Sequence, residues 1–376
     1  MFKYNKILLT LIFLVTLFYV INVYLKDDNK IITEITDKTI ITPVLETKIE
    51  LDKNIIYCST MQLAWNKLCN DIIKGTLEIE NQSFYVKKLN EFMNEVPKIS
   101  DDSYVAMAGL GGENIIQKIK EALLAKFNVL PEIDLLNIDS NEILAFSYLQ
   151  KYLAFEKEFN SFGSNMNFGT DEIKIKSFGI RYSPEPNDTP LKKQVEILYY
   201  DWSKEVIGDF IIELKTTSLN DKIIISTVKP EATLLKTYEK IQMLVQKYPN
   251  ENHKTNPQIP DEERNRTFFI TLAIPKINFN INHIYSDFSN QKIKNTNYYL
   301  KNIVQNICFN LNEKGAKLKS VTYMECKMGS PLKLNVRGPF IIILKNKTSD
   351  FPYFMAYLGN DELLERQSSI MEKMGL

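Results

Sequence analysis

Nucleophilic catalysis near neutral pH needs a thiol or hydroxyl beside a base, and the chain offers two histidines for that base, His253 and His283. His253 stands in a polar stretch rich in Pro and Asn, and His283 ends an apolar run; both read as plain surface histidines. The four cysteines, Cys58, Cys69, Cys308 and Cys326, form no CxxC and no HExxH occurs, so no transition-metal site is expected. So few cysteines in so long a chain read as buried free thiols. Gly109, Gly111 and Gly112 in the loop AGLGGEN would suit a phosphate cradle, yet the lysine and hydroxyl of GxxxxGK[ST] do not follow; the loop reads as a turn that starts a helix. Glu262 and Glu263 mark a solvated loop. No catalytic residue and no cofactor are assigned, and the chain is expected not to be an enzyme, a hydrolase being the least favoured alternative.

The elements around these residues sit in a chain of 376 residues, 44% hydrophobic and 24% charged, an ordinary globular composition. Forty-six basic residues balance forty-six acidic ones, so no field exists to hold a polyanion and no nucleic-acid partner is expected. The run 7–25 carries no charge over nineteen residues and follows Lys3 and Lys6, which predicts a single-pass membrane helix with everything after it outside the cytoplasm. A cleaved signal peptide is the alternative, set against bulky residues up to Lys26. Residues 1–26 are thus assigned to a transmembrane signal anchor, 27–54 to a tether, and 55–376 to the globular part.

Met61, Trp65, Leu68 and Ile72 fall on one helical stripe. A second helix is expected over 113–127. A third is expected to begin at a capping box, Asp139 to Glu142, and to carry Ile143, Phe146, Leu149 and Leu153. Beyond Ser177 short runs rich in Ile, Val, Phe and Tyr predict strands, the last two joined as a terminal hairpin. Residues 221–228 and 303–311 are expected in one large mixed sheet, with the hairpin in a second. Helices first and strands later argue for an α+β fold.

Three segments in the C-terminal third carry a more specific signal. They are FITLAIPKINFNINH (269–283), IVQNICFNLNEKG (303–315) and LNVRGPFIIILKNKTSDFPYFMAYLG (334–359). In order and spacing the chain resembles the serpins. Ile274, Pro275, Lys276 and Ile277 match the family's Leu-Pro-Lys-Phe, Asn312 to Gly315 its Asn-Glu-Glu-Gly, and Pro339, Phe340, Ile341, Ile342, Leu344, Phe354 and Met355 its C-terminal signature. Arg337 and Gly338 depart from it. Upstream, IIYCSTMQLAWNKL resembles the first buried helix, with Ser59 in place of the usual Pro. Trp202 to Leu214 resembles the helix lying across the main sheet. Gln305 stands where the family has a histidine in the strand that controls sheet opening.

The resemblance implies a serpin-like fold, with N-terminal helices, large mixed sheets and an exposed reactive-type loop over about 316–333. It also implies a serine or cysteine peptidase as partner. In such a loop the segment after the hinge inserts into the sheet once cut, so side chains must alternate between a buried and a wet face. Glu313, Gly315, Ala316, Leu318, Ser320 and Thr322 are the hinge candidates. Ala316, Leu318, Ser320 and Thr322 share one face, Lys317 and Lys319 the other, so insertion need not bury a charge. Leu318 and Lys319 are bulkier than the family's small hinge residues, which predicts slow or leaky inhibition. Lys327, Met328 and Gly329 bracket the expected scissile bond, with Cys326 beside them as an incidental thiol. A non-inhibitory, partner-binding scaffold is the alternative.

Overall fold

The computed structural model describes residues 33–80, 82–93, 95–129, 138–169, 173–181, 189–203, 208–255, 269–315 and 332–366. Its strands are β1 (Thr39–Thr42), β2 (Asn54–Cys58), β3 (Tyr104–Leu110), β4 (Glu142–Gln150), β5 (Asn160–Phe168), β6 (Ile173–Ile180), β7 (Val195–Tyr200), β8 (Phe210–Leu214), β9 (Asp221–Ser226), β10 (Phe269–Pro275), β11 (Ile277–Ile284), β12 (Gln291–Lys292), β13 (Tyr299–Leu311), β14 (Leu332–Asn335), β15 (Phe340–Asn346) and β16 (Phe354–Leu358). The principal helices are α1 (Thr60–Lys67), α2 (Phe84–Glu91), α3 (Ile115–Phe127) and α4 (Leu234–Thr255).

The strands assemble into three sheets: β1-β2-β16-β15-β9-β8-β7, then β14-β10-β6-β5, then β11-β13-β4-β3 with β12 on β13. The architecture is α+β, as expected, and the terminal hairpin forms with Phe340 opposite Leu358. The seven-stranded sheet is apolar on both faces. One face joins the main core through Ile56, Ile225 and Ile342, while Leu234, Tyr238 and Ile241 of α4 cover Ile224, Ile341 and Met355 on the other. Strands wet on neither side read as continuous apolar runs, as FIIILK does. Met61 and Trp65 of α1 and Leu68 just after it are wholly buried on the expected stripe, and the Trp65 indole donates to Asn90 Oδ1 at 3.1 Å.

Several expectations change. Residues 142–150 form strand β4, not a helix. The capping contact is made, Asp139 N–H to Glu142 Oε2 at 2.9 Å, but it closes a turn. Ile143, Ala145 and Leu149 then face the main core and Leu144, Phe146 and Tyr148 pack under α3, so a strand buried on both faces imitates a helical run. Residues 221–226 and 299–311 lie in different sheets, because β9 pairs with β15 instead of β13. Trp202–Leu214 contains strand β8, and the helix that lies across the five-stranded sheet is α3.

The N-terminal segment is held along the body. Thr33 N–H donates to Asn280 O at 2.6 Å and Asn280 N–H to Thr33 Oγ1 at 3.0 Å, so the chain touches β11 before β1 joins β2 in parallel. Thr36 donates to Glu362 Oε1 through N–H at 2.9 Å and Oγ1 at 2.6 Å, and the Thr39 hydroxyl donates to Oε2. Among the described residues no helix is long and apolar enough to cross a membrane. The single-pass placement with an outer C-terminal domain is corrected accordingly; residues 7–25, on which it rested, lie outside the described residues.

Candidate functional site

Strand β13 is the spine of the site. On one side it runs antiparallel to β11, with Ile277 opposite Leu311; on the other it runs parallel to β4, from Tyr299 opposite Glu142 to Cys308 opposite Gln150. Its Ile303, Gln305, Ile307, Phe309 and Leu311 are buried at alternate positions, so one face is committed to the core. Near its start the Lys301 ammonium meets the Glu142 carboxylate at 3.0 Å. Burial acts to raise the Glu142 pKa, but the Asp139 N–H and Lys301 outweigh it, and the group is held below its ordinary value.

At mid-strand Gln305 is fully buried and fully engaged. Its Nε2 donates to Cys58 O and to Thr60 Oγ1, each at 3.0 Å, while the Tyr285 hydroxyl donates to its Oε1 at 2.6 Å. These bonds join β13 to the junction of β2 and α1. A carboxamide can do this because it offers donors and an acceptor at once, which a neutral imidazole also does but an apolar residue cannot. His283 stands opposite Gln305 on β11, its ring 4.5 Å from that of Tyr285. Burial depresses its pKa to about 4, against the opposing charge of Asp287, so it is a neutral, half-buried imidazole packed on Tyr285. Cys58 and Cys69 are buried free thiols, each pushed up to about 11 by burial, and so are poor nucleophiles.

The end of β13 is a tight reversal. Asn312 N–H donates to Gly315 O at 2.9 Å and Gly315 N–H returns to Asn312 O at 3.1 Å. Gly315 has φ +102°, and a Cβ there would meet Leu153 O at 2.1 Å, so both the backbone and the space demand glycine. Phe155 N–H to Lys314 O and Phe159 N–H to Glu313 O fasten the reversal to residues 155–159. The Glu313 carboxylate reaches the Lys276 ammonium at 2.5 Å, the side chains being 2% and 10% exposed, and Lys276 also donates to Ser161 Oγ at 2.7 Å.

Of the hinge candidates, Glu313 and Gly315 are brought together here. Ala316, Leu318, Ser320 and Thr322 lie outside the described residues, as do Lys327, Met328 and Gly329. Lys276 was legible only as a motif match; its role follows from an ammonium set between the apolar runs LAIP and INF, a placement that calls for a buried counter-charge. Gly111, 2.2 Å from Asp139 O if it carried a Cβ, serves close chain crossing ahead of α3, in keeping with a plain turn. No cluster of three or more metal-ligating side chains occurs among the described residues.

No family model and no curated protein matches the chain. Solved structures similar to it include thyroxine-binding globulin complexed with thyroxine, at 11% identity and TM-score 0.44, covering 82% of this chain and 93% of that one. A serpin from Schistosoma mansoni is similar at 11% identity and TM-score 0.45, over 82% and 95% of the two chains. Uncleaved ovalbumin is similar at 10% identity and TM-score 0.45, over 82% and 93%.

Proposed function

We propose that this chain, serpin-like in fold, is a peptidase bait: a serine or cysteine peptidase cuts near Lys327, Met328 or Gly329, and the segment from Ala316 onward enters the five-stranded sheet between β4 and β13. The role is inhibitory and not enzymatic. The observation that carries the reading is that β4 and β13 are parallel neighbours and that the chain leaving β13 reverses at Gly315. A strand running back from Gly315 is antiparallel to both, so it can bond to each once they part.

The Asn312–Gly315 bridge supplies a register for that strand. Continued outward, it sets Ala316 beside Leu311, Leu318 beside Phe309, Ser320 beside Ile307 and Thr322 beside Gln305, all on the buried face of β13. Lys317 falls beside Asn310 and Lys319 beside Cys308, on the face turned away from the core. The register supports the alternation read from the sequence. It also locates the obstacle: Phe309 is already packed against Phe279, at 5.7 Å, and Phe354, at 4.7 Å, so Leu318 enters a filled place. Added volume in a packed core costs about 1–3 kcal/mol. Carried into the insertion barrier, this slows the step about fivefold to more than a hundredfold. Inhibition is therefore slow or leaky.

The same crowding favours a second reading, a serpin-shaped binding protein whose loop is cut without insertion. Limited trypsin cleavage followed by thermal unfolding separates the two. Insertion adds a paired strand and raises the melting midpoint, and Leu318→Ala with Lys319→Ala enlarges the yield of a denaturant-resistant complex with the peptidase. An unchanged midpoint after cleavage, in wild type and double variant alike, would eliminate the inhibitor reading.

A further inference from the structure

The five-stranded sheet ends at β3, and that edge is bare. The Tyr104 carbonyl points off the sheet, since it accepts from the Lys126 ammonium at 2.8 Å while Tyr104 pairs with Leu149 of β4. In an antiparallel strand the N–H and C=O of one residue point the same way and the direction alternates along the chain, so Ala106, Ala108 and Leu110 turn theirs outward too. Among the described residues these outward groups meet no hydrogen-bond partner. Both faces of β3 are packed, Ala106 and Ala108 against the main core and Val105 and Met107 under α3, so what stays open is the edge itself.

Proteins guard such edges with charge, proline, bulges or brevity, because an unpaired strand recruits another. The other described sheet edges are guarded. Bulges break β5 between Phe162 and Met166 and β7 between Ile197 and Tyr199. β1 and β14 are four residues long. β11 is fastened by Thr33 at Asn280 and by Leu364 at Ile277. β3 runs for seven residues, YVAMAGL, with no charge, no proline and no bulge against β4, and Lys126 screens its first carbonyl alone.

We propose that β3 is the contact surface of a homodimer, pairing antiparallel with β3 of a second copy about a two-fold axis through Met107. The strand is complementary to itself in that register. Ala106 lies opposite Ala108 of the second copy, Val105 opposite Gly109 and Tyr104 opposite Leu110, and the outward N–H and C=O groups bond to their counterparts. Because the other edges are guarded, pairing closes at two copies instead of propagating. The joined sheet runs β11-β13-β4-β3 in one copy and β3-β4-β13-β11 in the next. It lies across β4 from the entry point proposed for the loop and does not depend on the bait reading.

Sedimentation velocity and site-directed cross-linking of the full chain test this. The wild type sediments as a dimer at micromolar concentration. Directly opposed residues at a site without ladder bonds have Cα atoms about 4.5 Å apart, within disulfide reach, so copper–phenanthroline oxidation links two Met107→Cys chains. Leu110→Cys, whose two copies lie about 20 Å apart in this register, stays at the wild-type background. Met107→Lys sets two ammonium groups face to face and weakens association at least about tenfold. Ala108→Pro removes an outward donor that β4 does not use and has the same effect; it remains decisive if Met107→Lys does not fold. A monomeric wild type, or Met107→Cys that links no better than Leu110→Cys, would overturn the proposal.

Discussion

Replacing Glu313 by Leu removes one half of an ion pair whose side chains are 2% and 10% exposed. The cost is set less by the lost attraction than by the ammonium of Lys276 left under protein. Breaking a buried pair from one side costs about 3–5 kcal/mol. Ser161 Oγ, 2.7 Å from the Lys276 ammonium, remains as a partner and holds the loss near the lower end, about 3 kcal/mol. In a chain of this length each kcal/mol moves the melting midpoint by about 2 °C or less, so the variant melts about 5 °C lower. Lys276→Met strands the carboxylate instead and is destabilised by a similar amount. The double variant Glu313→Leu/Lys276→Met buries no charge and lies within about 1 kcal/mol of wild type, because apolar side chains of similar volume replace a buried pair at little net loss. Urea unfolding of the four proteins closes the cycle, with a coupling energy of at least about 3 kcal/mol. Single variants indistinguishable from wild type, or a double variant as unstable as the two singles summed, would refute the claim that the pair secures the end of β13.

Gln305→Leu leaves Cys58 O, Thr60 Oγ1 and the Tyr285 hydroxyl without their bonds, and stability measured in urea falls by about 3 kcal/mol. Gly315→Ala forces a Cβ onto Leu153 O at a positive φ; hydrogen exchange at the Phe155 and Phe159 amides, which are fastened to the reversal, accelerates at least about tenfold. Burial raises the Glu362 pKa, but hydrogen bonds from Thr36 and Thr39 and the charge of Lys38 outweigh it, so the folded value lies below the unfolded one. Its contribution is complete above an unfolded pKa of about 4.3 and is lost as pH falls through the folded value, so Glu362→Gln flattens the acid limb of a stability profile between pH 6 and 3.

The parts of the fold that could be read beforehand are those where local pattern and pairing coincide. The run FIIILK, a turn and FMAYL make a hairpin with no help from distant residues, and Gln305 to Leu311 alternates because there one face of β13 is core and the other is not. Reading failed where both faces are buried. At β4 and β9 alternation disappears, and nothing in DKIIIS says whether its neighbour is β13 or β15. Helix α4 carried a legible stripe, Leu234, Tyr238, Ile241, Val245 and Tyr248, but Pro249 lies within it and a proline argues against a helix interior. At the site, Glu313 and Gly315 could be found only from the resemblance to the serpins' Asn-Glu-Glu-Gly, and Lys276 only as a match to their Leu-Pro-Lys-Phe. The pairing of Lys276 with Glu313, and the partners Ser161 and Tyr285, could not, since they come from other strands and loops and only the folded chain brings them together.

The parallel pairing of β4 with β13 has a consequence for how the molecule is made. About 150 residues separate Gln150 from Tyr299, so β4 leaves the ribosome long before its partner exists. At roughly 5–20 residues per second that interval is on the order of 10–30 s. Throughout it β3 and α3 can pack on β4, but the edge destined for β13 stays open, a template for any strand that passes. Nascent chains stalled between Lys151 and Tyr298 are therefore the ones most dependent on a chaperone, and full-length synthesis relieves that dependence in one step when β13 closes the sheet.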